Sequence, residues 1–327
     1  MYAILTNCCD FRMIFVALLF VACTNSPKPS NSIVKKNAKI DSGYRWVKIY
    51  DSARWPKSYN FQLLANDDSL IVMHTKGTWV SADGNEFVKT SLTNAINNLA
   101  FLDYVQFQQS ILGLGYFNGN IEQFSFTPTI FQTTDYRNWH VIATTSNLPK
   151  RFFYHPFVFD NKIWIIGGED TSQQYADIWY SVDGIHWIKQ NDNLPFGKRS
   201  NSKIVMLHDT LYLLNNDVWR SADAIHWEIV TPEIIEGVEV FGYEAIVFDQ
   251  KIWLLGCNRN TLFSSEVLVS EDGKIWKEMH APWQPRGGIA ATVFKNKIYM
   301  TGGKYGGTPN HPDFRYDNDV WVLEKIQ

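Results

Sequence analysis

Cysteine is scarce in this 327-residue chain, and three of the four, Cys8, Cys9 and Cys23, fall before residue 24. Cys257 stands alone after them, which excludes an internal disulfide framework in that part of the chain. Charge is near balance at −3, with no Arg/Lys block or basic stripe, so the electrostatic footprint of a nucleic-acid binder is missing. The apolar run Met13–Ala22 is too short to span a bilayer by itself. No GxSxG elbow or phosphate loop occurs, and the eight histidines are scattered. Neither a metal centre nor a cofactor is therefore expected.

Aromatic residues are plentiful, and they recur. Trp46, Phe87, Trp139, Trp187, Trp227 and Trp276 follow one another at intervals of 40 to 52 residues. Ahead of five of them lie related turns: SADGNEF (81–87), TTDYRNW (133–139), SVDGIHW (181–187), SADAIHW (221–227) and SEDGKIW (270–276). A second apolar motif recurs as Leu70–Ile71, Ile111–Leu112, Ile163–Trp164, Leu211–Tyr212, Ile252–Trp253 and Ile298–Tyr299. The prototype unit, Arg151–Gln190, predicts four short strands over Phe153–Phe159, Ile163–Ile166, Asp177–Ser181 and Ile185–Lys189. One four-stranded sheet cannot bury both faces, whereas copies of it at this period make a β-propeller. The final unit, 286–327, lacks a fourth strand, and Tyr44–Tyr50 (YRWVKIY) reads as an orphan one. Pairing the two predicts an all-β, six-bladed ring over 44–327, closed without exposed sheet edges.

The first residues are of another kind. Arg12 precedes Met13–Ala22, a run of signal-peptide length. The segment FVAC (20–23) resembles the lipobox of bacterial lipoproteins, although Phe20 stands where an aliphatic residue is usual. The resemblance implies a signal peptide over 1–22, lipid on Cys23, and attachment to the membrane of a bacterial cell envelope, facing periplasm or exterior. Residues 23–43 are polar, with Pro, Ser and Asn, and read as a flexible tether.

Two units share a longer pattern. It stands as Arg151…Lys162-Ile163-Trp164…Gly167-Gly168…Asp177-Ile178-Trp179…Trp187, and again as Arg286…Lys297-Ile298-Tyr299…Gly302-Gly303…Asp319-Val320-Trp321. This resembles the kelch repeat of galactose-oxidase-type propellers. The fold it implies hosts enzymes and binding scaffolds alike. The copper site of galactose oxidase, built from His and a Cys-crosslinked Tyr, has no counterpart cluster here. The SxDGxxW turns also resemble the Asp-box of sialidases, but each is one residue short. Asp83, Asp183, Asp223 and Asp272 are accordingly read as turn formers that fold onto local amides.

Alternating strand direction puts the blade-linking loops and the loops between second and third strands on one face, the expected functional face. Twelve residues before the start of each of these second-strand motifs stand Ser58, Leu99, Arg151, Arg199, Val240 and Arg286. Three arginines in one register suggest a cationic rim suited to carboxylate or phosphate; alternatively, they brace neighbouring loops. Four residues further on, Gln62, Asp103, His155, Lys203, Glu244 and Ala290 are expected to line the channel. Five of the six are polar, which suits a strand facing water. Trp55, Trp283, Tyr305, His311, Arg315 and Tyr316 are candidate walls. The ligand-binding set is thus Arg151, Arg199, Arg286, His155, Lys203, Glu244, Tyr305 and Arg315.

Two functions of different class fit. One is a membrane-tethered envelope module recognising a protein or glycan on the blade-junction face. The other is a carbohydrate-active enzyme like the kelch-type sialic-acid mutarotase, with His155 or Glu244 as acid/base and a carboxylated sugar as substrate. A deep pocket would favour the enzyme, and a flat rim the binder.

Overall fold

A computed structural model describes residues 43–59, 61–90, 102–118, 125–308 and 310–326. The signal, Cys23, the tether up to residue 42 and Leu99 lie outside them. Six four-stranded antiparallel sheets follow one another along the chain. Blade I is Gln62–Ala65, Leu70–His74, Gly77–Ser81 and Val88–Thr90. Blade II is Asp103–Phe107, Ser110–Asn118, Ser125–Thr133 and His140–Ala143. Blade III is Phe157–Phe159, Lys162–Ile166, Ile178–Ser181 and Trp187–Asn191. Blade IV is Lys203–Leu207, Thr210–Leu214, Val218–Ser221 and Glu228–Thr231. Blade V is Glu244–Phe248, Lys251–Leu255, Glu266–Ser270 and Lys277–His280. Blade VI takes Ala290–Phe294, Lys297–Thr301 and Val320–Lys325 from the end of the chain and Tyr44–Tyr50 from near its start.

The apolar residues of each blade bury against the next blade rather than within their own sheet. Six core clusters result, one per junction: I–II, II–III, III–IV, IV–V, V–VI and VI–I. The last two junctions depend on the returning strand. Trp46 lies opposite Leu323 and meets Trp283 edge-on at 4.5 Å, while Tyr44 meets Trp253 at 5.0 Å. Closure thus hides a sheet edge and fills two junctions at once.

The turns before the fourth strands behave as the sequence predicts. In blade III, Asp183 Oδ1 accepts the amides of Ile185 and His186, both at 2.8 Å, and Ser181 Oγ accepts that of Gly184 at 2.8 Å. The indole of Trp187 then donates to the Gly184 carbonyl at 3.0 Å, pinning the turn to the core. Blades IV and V repeat this with Asp223/Trp227 and Asp272/Trp276. His186 and His226 each contact their own turn aspartate at 2.7 Å. These hydrogen bonds to the ionised form hold the Asp183 carboxyl far below the usual range despite partial desolvation.

The inner strand of blade III is shorter than expected, Phe157–Phe159 instead of Phe153–Phe159. Phe153 and His155 take left-handed backbone, at φ 57° and 43°, which no strand accommodates. The reason lies at the channel mouth.

Candidate functional site

The pattern R…GG…D-x-W is one structural device. Arg151 forks onto Asp177, Nη1 to Oδ1 at 2.6 Å and Nη2 to Oδ2 at 3.0 Å, while Nη1 also donates to the Gly167 carbonyl at 2.9 Å. Trp179 donates its indole N–H to the same carboxylate at 2.7 Å. Blade VI repeats the arrangement with Arg286, Asp319, Gly302 and Trp321. Blade IV does so with Arg199, Asp217 and Trp219, the guanidinium also reaching the Phe196 carbonyl. The side chains of Arg151 and Arg286 are 0% and 2% exposed. The glycines let adjacent blades touch. Gly168 N–H donates to the Arg199 carbonyl at 2.9 Å and Gly303 N–H to that of Ser58 at 3.0 Å. A Cβ on Gly167, already at φ +60°, would stand 2.5 Å from the Arg199 carbonyl oxygen.

Of the two readings of the arginine register, rim or brace, the geometry matches the brace. Arg151, Arg199 and Arg286 share a register, and each guanidinium forks onto a carboxylate inside its own blade; Arg199 also borders a separate cavity of about 340 Å³ with Lys198, Asn215 and Asn216. Trp55 and Trp283 are not walls either. Both are buried in junction cores, Trp55 against Trp79 and Phe87, and Trp283 against Trp46 and Trp321. Tyr316 stacks on Tyr59.

The second register is gathered as expected. Gln62, Asp103, His155, Lys203 and Glu244, from blades I to V, line one cavity of about 120 Å³ at the start of the inner strands. Ala290 is buried and does not line it. The mouth is also lined by Phe61, Phe153, Asn201, Gly242, Tyr243 and Gly288, which the sequence reading missed. Their signal was available one step away. Phe153, Asn201, Gly242 and Gly288 each follow the arginine register by two residues, and all four are left-handed, at φ 57°, 57°, 68° and 62°. Asn and Gly accept that conformation readily. A Phe does not, and with His155 two residues later the blade III loop carries the strain typical of functional rims.

The polar groups of the mouth are unequally satisfied. Lys203 Nζ pairs with Glu244 Oε2 at 2.9 Å. Gln62 Oε1 accepts the Tyr104 amide at 2.8 Å, leaving its NH2 as a donor. Asp103 has no hydrogen-bond donor among the described residues; His155 Nδ1 stands 3.9 Å from its Oδ1. Enclosure by protein pushes the Asp103 carboxyl up to about 7, with Lys203 only partly offsetting the effect. The same enclosure, reinforced by the positive charge of Lys203, holds His155 well below its usual value and so neutral.

Tyr305 and Arg315 do not reach this mouth. Together with His311 they line a separate cavity of about 340 Å³ between blades V and VI, walled by Leu262, Phe263 and Pro285. Among the described residues no group of three or more His, Cys, Asp or Glu is arranged to hold a metal ion.

The chain is a six-bladed β-propeller closed by its N-terminal strand, with a polar cavity on its axis. Its fold is similar to the solved structure described as "Structure of YjhT", at a TM-score of 0.67, covering 84% of this chain and 96% of that one at 10% identity. At that identity the likeness carries the fold alone. No family model matches the chain, and no curated protein does.

Proposed function

We propose that the protein is a binding module for a glycan, taking a terminal sugar at the axial mouth on its blade-junction face. The observation that supports this is the convergence of Gln62, Asp103, His155, Lys203 and Glu244 from five blades on one cavity, beside Phe61, Phe153 and Tyr243. Sugars present hydroxyls at their edges and C–H groups on their faces, so polar groups interleaved with rings are complementary to them. The volume of about 120 Å³ is below the roughly 300–1,000 Å³ of pockets that engulf a ligand. It suits one sugar unit at the end of a longer chain, and its concave polar shape favours a glycan over a protein face.

Saturation-transfer NMR with a panel of mono- and oligosaccharides tests the reading. Binding is expected in the wild type and is expected to fall at least tenfold when Lys203→Met and Glu244→Leu are combined. That variant removes a partly buried ion pair as a unit and leaves no unpaired charge behind, so its fold is expected to survive. Binding that is absent, or indifferent to this change, would dismiss the axial site; capture of a protein ligand instead would favour the other class of partner.

A second reading rests on Asp103 and His155. The Asp103 carboxyl, pushed up to about 7, can hold or release a proton near neutrality, and the neutral His155 imidazole can accept one, which together suits proton exchange at a sugar's ring and anomeric oxygens. A mutarotase-like activity would appear as accelerated exchange between anomer signals. A carboxylated sugar is the poorer match to this mouth, because its lysine is already paired and each arginine fork is engaged by an aspartate.

We also propose export and attachment to the bacterial cell envelope through lipid on Cys23. Metabolic labelling with a fatty-acid probe is expected to mark the wild type and to vanish in Cys23→Ala. Persistent labelling in the variant would remove the proposal.

A further inference from the structure

The ligand's charge can be taken from the mouth itself, on the reading that the mouth is the ligand site. Lys203 and Glu244 cancel each other at 2.9 Å. His155 is neutral. Gln62 contributes a donor without charge. Tyr104 and Tyr154, the other titratable neighbours of Asp103, are buried phenols pushed well above neutrality. Among the described residues, ionised Asp103 is then the one uncompensated charge facing the cavity. It also lacks a hydrogen-bond donor among the described residues, with His155 Nδ1 3.9 Å away. A carboxylate so enclosed gains most from a partner that supplies both N–H donors and a positive charge. We infer that the axial mouth selects a hydroxylated primary amine of the amino-sugar class, its ammonium held by Asp103 and its hydroxyls by Gln62 and the Lys203–Glu244 pair.

The fit is specific in sign. An anionic sugar would have to approach Asp103 or break the Lys203–Glu244 pair. A neutral sugar leaves Asp103 protonated and gains nothing from its charge. A cationic one draws the carboxyl into its ionised form, so binding near neutrality releases a proton from Asp103. Below the free carboxyl's value of about 7 the proton competes with the ligand, and affinity falls by up to tenfold per pH unit.

Isothermal titration of the full chain with D-glucosamine, D-glucose and D-glucuronate decides the matter. Glucosamine is expected to bind about tenfold or more tightly than glucose at pH 7, with glucuronate weakest. Its advantage is expected to shrink roughly tenfold at pH 5.5. Asp103→Asn is expected to erase the preference for glucosamine over glucose, whatever it does to the affinity for glucose itself. Titration of the wild type in two buffers of different ionisation heat is expected to show proton release with glucosamine and none with glucose. This last measurement stands even if the variant fails to fold. Equal affinity for glucose and glucosamine without proton release, or glucuronate binding tightest, would overturn the inference and leave the sugar site standing. Binding of none of the three would overturn the inference, whereas the broader reading falls only if the whole saccharide panel fails as well.

Discussion

Deletion of residues 44–50 is expected to abolish cooperative unfolding of the whole ring rather than trim one strand from it. The segment pairs with Val320–Lys325 along its length, and its aromatics reach into the V–VI and VI–I junctions. Tyr50 packs on Phe87 of blade I, and Tyr44 on Phe248 and Trp253 of blade V. Tyr44 also donates its hydroxyl proton to Asp249, which Lys325 holds from the other side at 2.5 Å. Three blades therefore lose contacts together. Folded domains are stable by only about 5–15 kcal/mol, and this loss is of that order. The point variant Trp46→Ala offers a graded version, expected to cost about 3 kcal/mol, the low end for a Trp truncation because the indole is only partly buried. Urea unfolding followed by tryptophan fluorescence measures both. A deletion variant with the wild-type midpoint would contradict the closure.

Breaking one arginine fork is the second large effect. Arg151→Ala or Arg286→Ala leaves Asp177 or Asp319 buried without its counter-charge, which is expected to cost about 3–5 kcal/mol. Arg199→Ala is expected to cost less, because Asp217 retains 23% side-chain exposure and can recruit water. Denaturant midpoints in that order, with unchanged saccharide affinity, follow if the forks are braces. Loss of affinity without loss of stability would return the arginines to the ligand site.

The fork also shows where sequence reading reached its limit. The register of Arg151, Arg199 and Arg286 was correct, yet taken alone it left a rim and a brace both open. The missing signal was its companion. Arginine and the aspartate of D-x-W occur together in blades III, IV and VI. They are absent together in the others, where the pairs are Ser58/Gly77, Leu99/Thr129 and Val240/Glu266. Glu266 serves His280 instead. A cation that never occurs without its anion is a pair, not a ligand group. The ring itself was legible because repetition averages out local ambiguity, and Trp46 identified the returning strand by its likeness to Trp187. The channel register was legible for a related reason: equal offsets in equal blades give equal heights around one axis. The shape of the mouth was not legible. Left-handed backbone at Phe153 and His155 goes against the preference of those residues, so only the packed loop reveals it.

The central claim is that five blades contribute one ligand site on the propeller axis. A crystal structure of the complex with the tightest-binding saccharide tests it most directly. The predicted result is a sugar seated in the mouth, within hydrogen-bond distance of Asp103 and Gln62 and resting on Phe153 or Tyr243. A sugar bound between blades V and VI against Tyr305 and Arg315, with the axial mouth holding only water, would contradict it.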